Sequence, residues 1–167
     1  MATFDVEGFR ASLLNGSRPN QFKVYLGDRV GNDVSSFLVT AASLPGQTIG
    51  TASIFYRGRE IKLAGDKVFA PWTTTILNDS DLTVRQAIED WMTEIEDNAE
   101  KVGEIDFTAY SADLQVVQLD KNGEEIRTYT LVGAWPTDVS EIPLSFDAND
   151  QISSFSCTWN YQHFVFE

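Results

Sequence analysis

Residues 152–164, ISSFSCTWNYQHF, alternate between two kinds of side chain and give the clearest indication of the fold. One set is apolar or aromatic and the other is polar but uncharged: Phe155, Cys157, Trp159 and Tyr161 against Ser154, Ser156, Thr158, Asn160 and Gln162. A period of two is typical of a β-strand with one buried face. Because a solvated edge strand normally carries charge, the pattern predicts pairing with a neighbouring copy, the lining of a neutral surface, or a central strand with a hydroxyl-rich exposed face.

Other segments rich in β-branched and aromatic residues, separated by turn residues, also predict strands. They span residues 22–26, 36–41, 52–56, 60–63, 72–77, 114–119 and 126–134. Asn122 and Gly123 lie between two of these strands and favour a type I′ hairpin turn, in which both central residues need a positive φ. Gly58 is suited to a similar turn. The sequence therefore predicts a mainly β fold.

One segment has a helical period and predicts a helix at about residues 83–96. Its apolar stripe consists of Val84, Ile88, Trp91 and Ile95, with Ala87 and Met92 beside it. We expect this stripe to cover an open sheet face. Thr83 and Gln86 have the spacing of a capping box, and Asp79 and Asp81 lie where the helix dipole favours negative charge.

Composition excludes several classes of function. A length of 167 residues predicts a single domain, residues 1–167. The net charge of −13 repels phosphate backbones and anionic lipid, which argues against binding of nucleic acid or of a membrane surface. The N-terminus does not resemble a signal peptide, so we expect folding in a cytoplasm. The sequence contains one cysteine, Cys157, and one histidine, His163, which is too few for an internal disulfide or a zinc motif. We predict a core position for Cys157, a strand position for His163, and no cofactor or metal.

Enzyme and glycan-binding functions find little support in the sequence. Nucleophile-elbow, phosphate-loop and zinc-protease motifs are missing, so an enzyme would depend on a pair of carboxylates that nothing in the sequence selects. Trp72, Trp135 and Trp159 are the stacking platforms that a monomeric carbohydrate-binding module would use. Tryptophans on strands are more often part of the core.

Charge is distributed unevenly along the chain. Residues 34–56 contain no Asp, Glu, Lys or Arg, whereas residues 79–106 contain ten acids and two bases. Interface cores are depleted in charged residues. This neutral segment and residues 152–164 together predict a domain that adds strands to other copies of itself.

Several strings, in this order, resemble the tail tube (inner tube) protein of contractile-tailed, T4-like bacteriophages. They are SRPNQFKV at 17–24, ASLPGQTIG at 42–50, YRGREIK at 56–62, AGD at 64–66, WTTTI at 72–76 and VRQAIEDW at 84–91. The resemblance covers about residues 17–166, and the helix falls where that family has its main helix.

The resemblance implies a β-sandwich or half-barrel with one packed helix. Protomers would form a hexameric ring, the inner sheets would join into a closed β-barrel around a channel, and stacked rings would form the DNA conduit. Residues 47–63 would form an extended hairpin between subunits and rings. The contact residues expected from it are Leu44, Pro45, Gly46, Ile49, Phe55, Tyr56, Arg57 and Arg59.

The resemblance also implies a structural virion protein that is not an enzyme and is assembled in the host cytoplasm. Its partners would be its own copies, the sheath protein, baseplate tube-initiation proteins, the tape-measure protein, the tail terminator and DNA in transit without specific binding; a membrane is not among them. An acidic or neutral channel lets DNA slide, and we expect Ser154, Ser156 and Thr158 to face it. The alternative is the tube of a related injection system or a tube-initiating baseplate protein.

Overall fold

The computed structural model describes residue 6 and residues 18–31, 36–96 and 106–167. Its main elements, in chain order, are β1 (Phe22–Tyr25), β2 (Val39–Ala42), β3 (Gln47–Tyr56), β4 (Arg59–Phe69), β5 (Trp72–Leu77), α1 (Thr83–Ile95), α2 (Phe107–Tyr110), β6 (Ala112–Leu119), β7 (Glu125–Val139), β8 (Ser154–Asn160) and β9 (His163–Phe166). The prediction of a mainly β fold is confirmed.

Two antiparallel sheets are joined by the long strand β7. Its first part pairs with β6 and β9, and β6 also pairs with β1. Its last part pairs with β8, which is followed in the sheet by β5 and then β2. The change of sheet occurs next to Gly133, which has a φ of 62° and where a Cβ atom would lie 2.9 Å from Cζ of Phe107. Glycine therefore allows β7 to bend there.

The core lies between these sheets and helix α1. Trp91 on the helix packs against Trp159 on β8, with ring centroids 5.7 Å apart, and both side chains are buried. The Trp159 Nε1 donates a hydrogen bond to Oγ1 of Thr74 at 3.0 Å, so the buried polar groups of both residues are satisfied. Val84 and Ile88 are buried as well. The predicted stripe and its role as a sheet cover are thus confirmed.

The start of α1 differs from the predicted capping box. Thr83 is the first helical residue, and Leu82 before it has a left-handed φ of 52° and no side-chain cap. Asp79 caps the helix instead, because its Oδ1 accepts from the Thr83 backbone N–H at 2.9 Å and its Oδ2 accepts from the Thr83 hydroxyl at 2.5 Å. The Thr83 side chain, by donating to the Asp79 carboxylate, lowers the pKa of Asp79. The helix ends at Ile95, one residue before the predicted end.

The turns also differ from the prediction. Gly123 has a φ of 80°, but Asn122 has no positive φ, so a type I′ turn at this pair is wrong. Asp120 N–H donates to the Glu124 carbonyl, and Gly123 N–H donates to the Asp120 carbonyl, which closes a three-residue loop. Both central residues of the two-residue turn between β3 and β4 have positive φ, 49° at Arg57 and 79° at Gly58. The predicted turn with a positive φ at Gly58 is therefore confirmed.

Two predicted strands have different bounds. Residues 36–38 are helical and only residues 39–42 form a strand. The predicted strand at 152–164 is interrupted at Tyr161 and Gln162, which separate β8 from β9. Because β8 pairs with β5 on one side and β7 on the other, it is a central strand and has no edge open for a neighbouring copy. The short helix α2 was not predicted.

Candidate assembly surface

Strands β3 and β4 form a hairpin that is a separate sheet, and within the described residues they pair only with each other. At about 3.3 Å per residue, strands of this length span about 33 Å. Every residue of β3 and almost every residue of β4 is exposed. The predicted hairpin at 47–63 is therefore present and extends to Phe69. A lone two-stranded hairpin is marginally stable in water, so this one is a candidate for stabilisation by a partner.

The two faces of the hairpin differ in chemistry beyond its bulge. Directly paired residues lie on the same face of an antiparallel pair. The register Ile54↔Ile61 and Ala52↔Leu63 creates an apolar face, which Tyr56 and Arg59 extend to the tip. The opposite face holds Thr51, Ser53, Phe55, Glu60, Lys62 and Ala64. Within the described chain no element covers the apolar face, and Ile54, Ile61 and Leu63 are each about half exposed.

The base of the hairpin is fixed to the core. Phe69 packs against Tyr161 and Phe164, with ring centroids 6.0 and 5.5 Å away. Between base and tip, the register shifts between Ile49 and Thr51. A Cβ on Gly65 would lie 3.0 Å from the carbonyl carbon of Gly50, so two glycines allow the backbones to approach at this bulge.

The hairpin is the basic part of an acidic chain. Residues 47–69 contain four Lys or Arg and two Asp or Glu, a net charge of +2, whereas the whole chain has −13. Glu60 is already engaged on the polar face, because it accepts from the Ser53 hydroxyl at 2.6 Å and lies 4.0 Å from Lys62. Among the described residues, neither Arg57 nor Arg59 forms a salt bridge. The tip thus presents two cations and an apolar face.

The predicted contact residues occupy both ends of this hairpin. Phe55, Tyr56, Arg57 and Arg59 lie at its exposed tip, and the Arg57 guanidinium stacks on the Tyr56 ring at 5.4 Å. Ile49 lies near the bulge. The other three lie just before β3: Leu44 and Gly46 are exposed and Pro45 is half-buried. The structure therefore divides the set into a tip group and a base group.

The polar residues of β8 lie on the sheet face away from α1. Phe155, Cys157 and Trp159 point into the core, and burial raises the pKa of the Cys157 thiol well above its usual range. Ser156 is paired with Thr75 and Thr158 with Thr73, so hydroxyl groups continue across two strands. Ser154 is exposed, and Ser156 and Thr158 are half-buried. This face is uncharged on β5 and β8.

The tryptophans do not form a glycan-binding surface. Trp72 and Trp159 are 1% and 0% exposed, so neither offers a ring face to a sugar. Trp135 packs edge-on against Phe107 and Tyr110. The alternative of a carbohydrate-binding module on these residues is therefore wrong. His163 is an exposed residue on strand β9, as the strand prediction allowed.

The described residues contain no cluster of three or more histidine, cysteine or carboxylate side chains that could hold a metal ion. No helix in the described ranges is both long and apolar enough to cross a membrane.

One exposed apolar group was missed by the sequence reasoning. The loop between β7 and β8, residues 140–153, holds Leu144 at 92% exposure, Phe146 at 102% and Ile152 at 74%. These residues have no regular spacing, so periodicity does not reveal them. The signal that could have found them is compositional: the loop has three acids and no Lys or Arg, yet keeps large apolar residues.

Comparisons with known proteins agree with the resemblance in the sequence. The phage tail tube protein family matches residues 17–167. The tail tube protein gp19 of Enterobacteria phage T4 is 29% identical over 146 residues, which is 85% of this chain and 86% of that protein. The tail tube protein of Serratia phage KSP90 is 28% identical over 129 residues, 77% of this chain and 72% of that one.

A solved structure supports the fold. The tube-terminating cap of the anti-feeding prophage has a TM-score of 0.67 at 19% identity and covers 90% of each chain. Because the family matches nearly the whole chain, this protein belongs to the phage tail tube protein family and is a structural component of the virion.

Proposed function

We propose that this protein polymerises as stacked hexameric rings into the inner tube of a contractile phage tail and forms the conduit for DNA ejection. The observation that supports it most directly is the uncovered apolar face of the β3–β4 hairpin. Fully burying an isoleucine or leucine side chain contributes about 1.5–3 kcal/mol. Since Ile54, Ile61 and Leu63 are about half exposed, covering them in an assembly contributes about 1 kcal/mol each.

The residues proposed as subunit contacts are the two groups at the ends of the hairpin. Ile49, Phe55, Tyr56, Arg57 and Arg59 contact a neighbouring subunit or ring through the exposed part, and Leu44, Pro45 and Gly46 do so at the base. The hairpin orders fully only when it is covered, so the first ring costs entropy that later rings do not. Nucleation on a baseplate overcomes this cost.

Joining of sheets between protomers into a closed barrel would account for the open strand edges. In the described chain β1 pairs only with β6, and β2 pairs only with β5. Closure removes such edges. We place Ser154, Ser156 and Thr158 on the inner wall, because a neutral hydroxyl face does not bind phosphates as lysine or arginine does, and DNA passes it without specific binding.

The partners in this proposal are other copies, the sheath protein, baseplate tube-initiation proteins, the tape-measure protein and the tail terminator, with assembly in the host cytoplasm. The alternative is the tube, or the tube initiator, of a related injection system. It draws on fold likeness, because the anti-feeding prophage cap and the sheath–tube complex of an extracellular contractile injection system contain similar chains.

Electron microscopy of the purified protein across a concentration series tests the proposal. We expect stacked rings or hollow tubes with a central channel, either spontaneously or after seeding with baseplates, and a mass distribution with multiples of six protomers. A protein that stays monomeric even when baseplates are supplied would contradict the proposal.

A further inference from the structure

We propose that the apolar face of the β3–β4 hairpin of one copy docks onto the β7–β8 loop, residues 140–153, of a neighbouring copy. This inference rests on the tube assembly proposed above and names the surface that receives the hairpin. The two surfaces differ, so the contact is head-to-tail and can propagate from copy to copy into a ring or a stack.

The hairpin and the loop both expose large apolar side chains. The hairpin offers Ile54, Ile61 and Leu63, and the loop offers Leu144, Phe146 and Ile152, all exposed in the free chain. Leu144 and Ile152 line a groove of about 270 Å³ together with Ile142, Pro143, Ala148 and Gln151. Phe146, which is fully exposed, lies two residues after Leu144 in the same loop. Contiguous exposed apolar surface bordered by polar residues marks interaction sites.

The hairpin and the loop carry opposite charges. The hairpin has a net charge of +2, and the loop has three acids, Glu141, Asp147 and Asp150, and no base. Arg57 and Arg59 form no salt bridge with any described residue. Complementary charge around an apolar patch fixes the register of an interface and disfavours wrong partners.

The acidic surface of helix α1 is a poorer match for the hairpin. Helix α1 is also acidic, but it has no exposed large apolar side chain between Thr83 and Ile95. Its acids are partly occupied, because Glu89 pairs with Arg85 at 2.8 Å and Glu94 pairs with Arg29. The loop therefore differs from α1 in combining carboxylates with exposed large apolar side chains.

Both ends of the loop are fixed by hydrogen bonds. The Ser140 N–H donates to the Ser156 carbonyl at 2.8 Å, and the Ser140 carbonyl accepts from Arg85 at 3.1 Å. At the other end, the Ser153 carbonyl accepts from the Asn78 N–H at 2.9 Å and its hydroxyl accepts from the Asn78 side chain at 2.8 Å. A held loop loses less conformational entropy on binding than a free one.

A charge exchange tests the contact. Arg57→Glu/Arg59→Glu places acids opposite acids, and Asp147→Arg/Asp150→Arg places bases opposite bases. We expect each pair to raise the critical concentration for tube formation at least about tenfold. The four changes together restore opposite charges, and we expect a critical concentration within about threefold of the unchanged protein.

A matched control separates position from net charge. Arg57→Glu/Arg59→Glu combined with Glu124→Arg/Glu125→Arg has the same net charge as the four-residue exchange, but it places the new bases at the end of the β6–β7 turn and on the first residue of β7, both exposed. We expect no recovery of tubes. Equal recovery in this control, or loop variants that polymerise normally, would overturn the proposal while leaving the tube itself intact. Failure of the unchanged protein to form tubes with baseplates would instead contradict the proposed function.

Cross-linking provides a measurement that does not depend on charge variants folding. A chain with Tyr56→Cys and Phe146→Cys is assembled and treated with a short bismaleimide; Cys157 is buried and its raised pKa keeps the thiol unreactive. We expect a ladder of covalent multimers from the double variant and none from either single variant. Tubes that form but give no ladder, or the same ladder from a single variant, would overturn the proposal.

Discussion

The β3–β4 hairpin and the sheet beneath helix α1 have similar strands, but only the sheet has its apolar face covered within the described chain. In both, apolar and polar side chains alternate. On β8 the apolar set is buried against α1, and Phe155, Cys157 and Trp159 are at most 2% exposed. On the hairpin the apolar set has no cover in the described chain, and Ile54 and Ile61 remain about half exposed.

This difference shows that alternation reports which face is to be buried, but not which chain buries it. The sheet under α1 completes its core within one protomer. The hairpin is fixed to that core by Phe69 at its base and keeps its apolar face available. Monomer stability should therefore depend on the first region, and assembly on the second.

The largest expected effect comes from truncating the covered region. Trp159→Ala leaves a cavity next to Trp91 and removes the hydrogen bond to the buried Thr74 hydroxyl. We expect a loss of about 3–5 kcal/mol in the free energy of unfolding, measured with urea. Phe55→Ala at the exposed tip serves as the control and should change it by less than about 0.5 kcal/mol. Similar losses in the two variants would contradict the division into two regions.

The next effect concerns assembly and not folding. Ile54→Ser/Ile61→Ser removes two apolar side chains that gain cover only between copies. We expect the critical concentration for tubes to rise about 30-fold, equivalent to about 2 kcal/mol, while the urea midpoint of the monomer stays unchanged. Ile126→Ser is a matched control, because Ile126 is exposed to 49% and lies at the start of β7. An equal rise in the control would show that the hairpin face is not special.

Much of the covered region could be predicted from the sequence. Burial on one side imposes a period of two on a strand such as β8 and a period near 3.6 on a helix such as α1. These periods do not depend on which element buries the apolar face. The positions of Trp91 and Trp159 in the core follow from them.

Other features could not be predicted because no periodic signal records them. The bulge at Gly50 and Gly65 interrupts the alternation, so the hairpin extends past the predicted end at residue 63 to Phe69. The capping role of Asp79 depends on the backbone path of residues 79–82. The capping-box spacing of Thr83 and Gln86 carries no information about that path. Leu144 and Phe146 lie in a loop, where exposure follows from tertiary structure alone.

A smaller effect is expected at the start of α1. Asp79→Ala removes the acceptor of the Thr83 backbone N–H, and we expect the Tm to fall by about 2–4 °C. The folded pKa of Asp79 is lower than its ordinary value of 3.8, so the ionised form stabilises the fold. This contribution is complete above that value and is lost as the pH falls through the folded pKa. The Tm difference between the unchanged protein and the variant should therefore shrink below pH 3.8; a constant difference would contradict this role.

The smallest effect compares one residue from each region. Leu82 before α1 and Arg57 at the hairpin tip both have a left-handed φ, of 52° and 49°, and asparagine tolerates that conformation better than either. Leu82→Asn should raise the free energy of unfolding by about 0.5–1 kcal/mol, because the strain is relieved inside the cooperative unit. Arg57→Asn relieves similar strain in a hairpin that contributes little to global unfolding, so the urea midpoint should stay the same while the lost cation weakens tube formation. If Arg57→Asn shifted the midpoint as much as Leu82→Asn does, the hairpin would unfold together with the core, and the two regions would be a single cooperative unit.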